Sequence, residues 1–484
     1  MGNLIRLLIF LLMTNFGHSQ IKFFNFYTDT GVDKGEGVVQ LEDSSYVVTG
    51  SSSSFVDGSS QAFLMKVDSL GNHIWSKHYG GVEFESGRRV LHKKGVGFYI
   101  CGFTNSIGAG GFDFYLVKTD ESGLFEWENS YGGNGWEKVH DALITVDTNI
   151  IMVGETSSNA TDNKDIYIIQ TNQFGDTLWT RTFGGIGDDY ATSILEIDDT
   201  TFIVGGRYFN EDSLLTKSWV SKMHVDGTVY WENQYGVNQN SWLNAMYFDG
   251  SIVRGVGGTS GDAISGVNTL NMVIELNGTY ISEVMFSNVG DNEYVGIVKS
   301  APFGDYYVPY TADEPGGFLF GNDVIIQQRF SDFIWISNFV IAHEYDETMN
   351  QIIETNDGEA ILVGYTTSFI SGGNEIYLCK IGPGNDYPDV NNDFVVNSVV
   401  GVIKEELDDK IKIYPNPSNG IFNVSVKDID LNLIQVYNTI GQTVYYSSFS
   451  SQGNIDIVGL SSGYYILEIS GNSKMIRRKI IIRN

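Results

Sequence analysis

Four tryptophans, Trp75, Trp127, Trp179 and Trp231, stand 52 residues apart. An interval held that constant requires a repeating structural unit. The flanking text recurs with them, as IWSKHYGG (74–81), FEWENSYGG (125–133), TLWTRTFGG (177–185) and VYWENQYG (229–236). One interval before Trp75 lies Phe23, and Tyr27 there repeats Tyr79 and Tyr131, so FFNFY is a further copy. Later copies are worn: YISEVMF (280–286) has no tryptophan, and the last is centred on Trp335. The motif occurs seven times.

Each unit keeps one internal order. An apolar run closing on glycine or a substitute (YVVTG at 46–50, FYICG at 98–102, IIMVG at 150–154) is followed by a second run (FLMKV, FYLVK, IYIIQ), and a half-apolar segment such as RRVLH precedes them. With the tryptophan segment this predicts four short strands in about 50 residues, the strand count of a propeller blade. A helical solenoid is excluded, because β-branched and aromatic runs of this length between glycine turns cannot form amphipathic helices. The high glycine content (56 residues) and scarce proline (7) agree. The seventh unit ends at Lys380 without its tryptophan strand, and residues 21–27 supply the missing copy. The expected fold is all-β: a seven-bladed β-propeller over 20–382, closed by an N-terminal strand, which would remove two exposed sheet edges.

Composition bounds the partners. With 29 basic and 59 acidic side chains the net charge is −30, which repels phosphate backbones and excludes nucleic acid. Residues 1–19 read as a signal peptide, with Arg6 before the apolar stretch 7–13 and small residues Gly17 and Ser19 before the cleavage point. No other stretch has the length of a membrane span. The two cysteines, Cys101 and Cys379, imply no disulfide framework. Residues 383–410 break the period and read as a linker. From 411 the balance changes, with seven basic against four acidic side chains to 484. Six or seven short alternating strands predict a small C-terminal β-sandwich over 411–484.

That tail carries a resemblance. Tyr414-Pro415-Asn416-Pro417 with Gly420, then VYNTIGQTV containing Gly441, LSSGYYILEI containing Gly463, and the basic-apolar end KMIRRKIII follow in order. The set resembles the type A C-terminal sorting domain of the type IX secretion system of Bacteroidetes. The repeat before it is similar to the propellers that often precede such tails. The resemblance implies export by the type IX machinery and a mature protein that is secreted or held on the outer cell surface, with the tail as address.

Chemistry is harder to place. In such a blade the long loops between second and third strands share one face with the crossovers between blades, and variable loops on a rigid scaffold are where recognition sits. Asp33, Glu85, Glu137 and Asp189 recur at 52-residue intervals on that face, with Asp291 and Asp346 near the equivalent place and Ser241 replacing the acid once. Asp113, Asp165, Asp323 and Glu375 form a second set where third strands begin. Converging carboxylates suit Ca²⁺ or a cationic partner, and equally a brace that accepts backbone N–H bonds in each crossover. The seven histidines are scattered, and no nucleophile elbow, P-loop or zinc-helix pattern is present. Whether the chain is an enzyme is left open. The expected function is a monomeric binding or interaction protein for a glycan or protein ligand, with no other cofactor. The alternatives are a glycoside hydrolase or lyase using channel-mouth carboxylates, and a purely structural surface component.

Overall fold

The structure, a computed structural model, describes residues 19–28, 31–53, 60–158, 163–236, 239–260, 267–286, 292–294, 296–300, 305–312, 323–329, 335–341, 346–367, 374–383, 394–398, 411–415, 418–426, 433–437, 443–448, 452–470 and 475–483. The expected leader lies outside them, apart from Ser19. Every regular element among them is a β-strand. Contacts divide the chain into two units, 1–399 and 400–484.

Among the described residues of the first unit there are seven sheets, antiparallel throughout except for one parallel pair in the seventh. The second sheet is representative: Glu85–Lys93, Gly97–Thr104, Asp113–Thr119 and Phe125–Tyr131 pair in chain order. The second and third strands are buried along their length, which is why they read as unbroken apolar runs. The fourth is half exposed and mixes polar with aromatic residues. First strands bulge at one recurrent step, between Gly35 and Gly37, Gly87 and Arg89, Val139 and Asp141, Ala191 and Ser193, Leu243 and Ala245, and Met349 and Gln351. In the sixth sheet that strand is broken at the same place into Asn292–Tyr294 and Val298–Ser300.

The seventh sheet completes itself from the far end of the chain. Ser19–Thr28 pairs antiparallel with Glu375–Pro383, with Phe24 opposite Cys379 and Phe26 opposite Tyr377. A fifth strand, Phe394–Ser398, lies within the stretch read as linker and pairs parallel to Ser19–Thr28.

Each sheet shares an apolar cluster with the next. Leu64 meets Ile100 and Tyr115 between the first and second sheets, and Cys101 meets Met152 between the second and third. Further clusters join the third to the fourth, the fourth to the fifth, the fifth to the sixth and the sixth to the seventh. One more holds Val48 and Phe63 of the first sheet against Ile361, Val363 and Leu378 of the seventh.

A second contact recurs at the outer strands. Tyr27, Tyr79, Tyr131 and Tyr235 each donate a hydroxyl bond to a carbonyl in the following sheet's last turn, at Gly71 (2.7 Å), Gly123 (2.6 Å), Gly175 (2.7 Å) and Gly278 (2.8 Å). Phe183 lacks the hydroxyl, and Arg181 Nε bonds Gly227 O at 3.0 Å instead. The tryptophans lie under the same turns: a Cβ on Gly123, Gly175, Gly227 or Gly278 would fall within 2.7–3.1 Å of Trp75, Trp127, Trp179 or Trp231. Left-handed φ values of 75–86° make glycine the residue for these positions.

The second unit packs a three-stranded sheet (Ile411–Tyr414, Ile421–Val426, Gln452–Asp456) and a four-stranded one (Thr443–Ser448, Leu433–Tyr437, Gly463–Ser470, Met475–Ile482) about one core. Phe422, Val424 and Ile455 of the first meet Val436, Leu467 and Ile480 of the second.

Candidate functional site

The repeated acids are buried where first strands begin. Glu85 takes the Gly81 N–H on Oε2 (2.8 Å) and the Thr104 hydroxyl on Oε1 (2.8 Å). Glu137 repeats this with Gly133 N (2.9 Å) and the hydroxyls of Thr156 and Ser158 (both 2.5 Å). Asp189 takes Gly185 N (3.0 Å) and Phe209 N (2.5 Å). Each carboxylate thus ties the crossover four residues before it to the end of the neighbouring second strand. Where Ser241 stands, its hydroxyl donates to Tyr235 O and accepts Ser218 N, both at 3.1 Å.

Strand register locates two members that the sequence reading did not name. Glu347 lies opposite Thr366, as Glu85 lies opposite Thr104, and it receives the Thr366 hydroxyl at 2.7 Å. Glu293 lies opposite Thr311 in the sixth sheet. Asp346 is the exposed neighbour of Glu347, and Asp291 lies outside the described residues.

The two sets of acids meet across the joints. A Cβ on Gly132 would fall 1.9 Å from Asp113 Oδ1 and 2.2 Å from Glu137 Oε2, so these carboxyls face one another. Asp113 Oδ2 accepts Ala109 N at 2.7 Å, whereas Oδ1 is buried with no donor. Burial pushes the Asp113 carboxyl up to about 6, the Ala109 N–H opposes this, and the Glu137 charge adds to it. Burial likewise raises Asp189 to about 6 against its two N–H bonds, with the Asp165 charge contributing. Asp33 N bonds Asn374 O at 2.9 Å, which brings Asp33 beside Glu375. Among the described residues, no three His, Cys, Asp or Glu side chains converge as a metal-ligand set. The oxygens of Glu85, Glu137 and Asp189 accept N–H and O–H donors from the chain itself.

A second constellation, absent from the sequence reading, lies one residue further along the first strands. At that step stand Lys34, Ser86, Lys138, Tyr190, Trp242 and Thr348, opposite Ser51, Phe103, Glu155, Arg207, Gly258 and Tyr365. The Arg207 guanidinium stacks 3.7 Å from the centre of the Tyr190 ring, and Lys164 Nζ lies 4.9 Å from it. Glu155 bonds Lys164 Nζ at 3.0 Å and His140 Nε2 at 3.4 Å, and the His140 ring is 6.2 Å from Tyr190. Burial would raise Glu155, but His140 and Lys164 hold it at about 2. His140 is lowered by burial, with Arg88 and Arg89 adding to the effect and Glu155 opposing it, so its ring is neutral near pH 7. Lys138 Nζ sits 5.6–5.7 Å from the rings of Phe103, Phe112 and Trp136. Trp136 is 52% exposed and Phe84, stacked on Phe103 at 6.0 Å, is 36% exposed.

This cluster had a sequence signal of its own: beside an acid that repeats, the next position varies among lysine, serine, tyrosine, tryptophan and threonine. Variation inside a strict repeat marks residues that the fold leaves free. A hollow of about 580 Å³ elsewhere, at the turn Glu354–Gly358, gathers no comparable chemistry.

In the tail, Ser418 N bonds Ile481 O at 2.9 Å and Arg483 N bonds Ser418 O at 2.8 Å, tying the motif segment to the last strand. Gly420, at φ 104°, packs against the Val458 backbone, and Gly463 opens the strand Gly463–Ser470. Tyr414 is exposed, and its carbonyl accepts Asn423 Nδ2 at 3.3 Å, while Pro415 follows it at the surface. Asn416, Pro417 and Gly441 lie outside the described residues.

No curated protein matches the chain. Among solved structures it is similar to Sqt1 from Chaetomium thermophilum, at 10% identity over 76% of this chain and 99% of that one, with a TM-score of 0.44. It is similar also to the polysaccharide lyase Uly1, at 9% identity over 72% and 90%, with a TM-score of 0.45. A member of the duf4221 family from Bacteroides vulgatus matches at 12% identity over 61% and 92%, with a TM-score of 0.33. Residues 412–483 match the family described as Secretion system C-terminal sorting domain, so the chain ends in a sorting domain of the type IX secretion system.

Proposed function

We propose that the chain is an exported binding protein: a seven-bladed propeller, closed by residues 20–28, that carries its ligand site on the loop face and is delivered by the type IX machinery through its tail. The observation that carries the export reading is the sorting-domain match over residues 412–483. A leader at 1–19, a Bacteroidetes host and a destination in the medium or on the cell surface complete it. Ring closure is supported by Tyr27, whose bond to Gly71 repeats those of Tyr79, Tyr131 and Tyr235. The acids act as braces that hold the crossovers, and the changing residues beside them act in recognition.

Binding is favoured over hydrolysis for a geometric reason. A glycosidase needs two carboxyls open to a sugar, whereas Asp113 and Glu137 are each 1% exposed and bonded within their own loops. The export reading is tested by expressing the chain with and without residues 411–484 in a type IX-competent bacterium. The intact chain is expected outside the cell and the truncated one in the periplasm. Release of the truncated chain at the intact level would overturn it.

A further inference from the structure

The charge of this protein is distributed unevenly in an informative way. In a chain of −30, Arg207 and Lys138 make no ion pair among the described residues. Arg207 stacks on Tyr190 with its Nε buried and without an acceptor, and Lys138 lies against three aromatic rings. A buried guanidinium N–H without an acceptor is destabilising, and 59 carboxylates were available to relieve it. The two cations belong to one continuous surface, because Lys138 faces Glu155 in the ladder, Glu155 binds Lys164, and Lys164 and Arg207 both lie over Tyr190.

We infer that this surface, spanning the second to fourth sheets, binds an acidic oligosaccharide through the carboxylates of its uronic acid residues. A guanidinium fork matches a carboxylate bidentately. The surrounding negative field disfavours a phosphate dianion more than a carboxylate, whose charge is half as large. The exposed Trp136 and Phe84 rings offer flat apolar faces to the C–H side of a pyranose, with polar groups close by to fix its orientation. The inference deepens the binding reading above. It stands on contacts between adjoining sheets, so it does not depend on ring closure.

Calorimetric titration of the purified full-length chain tests it, using trisaccharides of galacturonic, glucuronic and mannuronic acid and their methyl esters. At least one acid trimer is expected to bind, with its ester weaker by roughly tenfold or more. Arg207→Gln should weaken the acid by a similar factor and leave the ester unchanged, whereas Trp136→Ala should weaken both alike. Lys138→Gln provides a second test should Arg207→Gln lower the melting temperature. Failure of all three acids to bind, esters binding as tightly as acids, or unaltered binding by both Arg207→Gln and Lys138→Gln would each overturn the site. The site's failure is distinguishable from failure of the export reading, which the truncation alone decides.

Discussion

At the residue scale, the informative carboxyl is Asp113. Its Oδ1 faces Glu137 with no donor between them, and a proton held there would fill the gap. Because the folded value, about 6, exceeds the ordinary 3.8, the folded state binds that proton more tightly than the unfolded chain. The stability it contributes is therefore full below about pH 3.8 and is lost as pH rises through 6. Asp113→Asn supplies a permanent N–H donor to Glu137. We expect the variant to be more stable than wild type above pH 6, by on the order of 1–3 kcal/mol, and to lose that advantage near pH 4. Differential scanning fluorimetry from pH 4 to 8 reads the difference, and parallel curves would exclude the shared proton. Much of this layer was legible in the text. The 52-residue spacing located Glu85, Glu137 and Asp189, but from Glu293 to Glu347 the interval is 54, so counting falls short at Tyr345 and the adjoining Asp346 was read as the acid. The pairing of the two acid sets was not legible, since it joins residues of different units through a contact that only the packing of sheets creates.

Strands and their turns were the most readable level, because burial on both faces leaves unbroken apolar runs and left-handed turns leave glycine. Gly175 separates two causes that usually act together. It has φ 84°, and a Cβ there would fall 2.3 Å from Asn129 Nδ2 and 2.9 Å from Trp127. Gly95 has φ 77° and nothing within 4 Å. Backbone strain alone predicts equal losses for Gly95→Ala and Gly175→Ala, about 1–2 kcal/mol each. If the turn is seated on the indole of the preceding sheet, Gly175→Ala should lose about 1–2 kcal/mol more. Urea unfolding of the two variants compares them directly, and equal midpoints would remove the tryptophan from the account of how sheets are joined. The bulge in each first strand left no mark that sequence reasoning could use, because Gly, Arg, Asp, Ser, Ala and Gln all follow it. Its regularity comes from the shape of the sheet.

For the whole molecule, the decisive element is the strand Ser19–Thr28, which is remote in sequence from every partner it has in the seventh sheet. It fills the edge of Glu375–Pro383, and its Asn25 and Tyr27 side chains reach the first sheet's turn at Gly71 (2.9 and 2.7 Å). One short segment thus serves two sheets whose remaining strands are hundreds of residues apart. Without it, Glu375–Pro383 would present unpaired N–H and C=O groups along an apolar strand, a template for association with other chains. A chain lacking residues 19–28 is therefore expected to elute from gel filtration as aggregate and to melt at least several degrees below the intact protein. Tyr27→Phe, which gives up only the hydroxyl bond, should lose about 1 kcal/mol and elute as the intact protein does. A monodisperse truncated chain with an unchanged melting temperature would mean that the first and seventh sheets hold together through Val48, Phe63, Ile361 and Leu378 alone, and closure by the N-terminal strand would have to be abandoned.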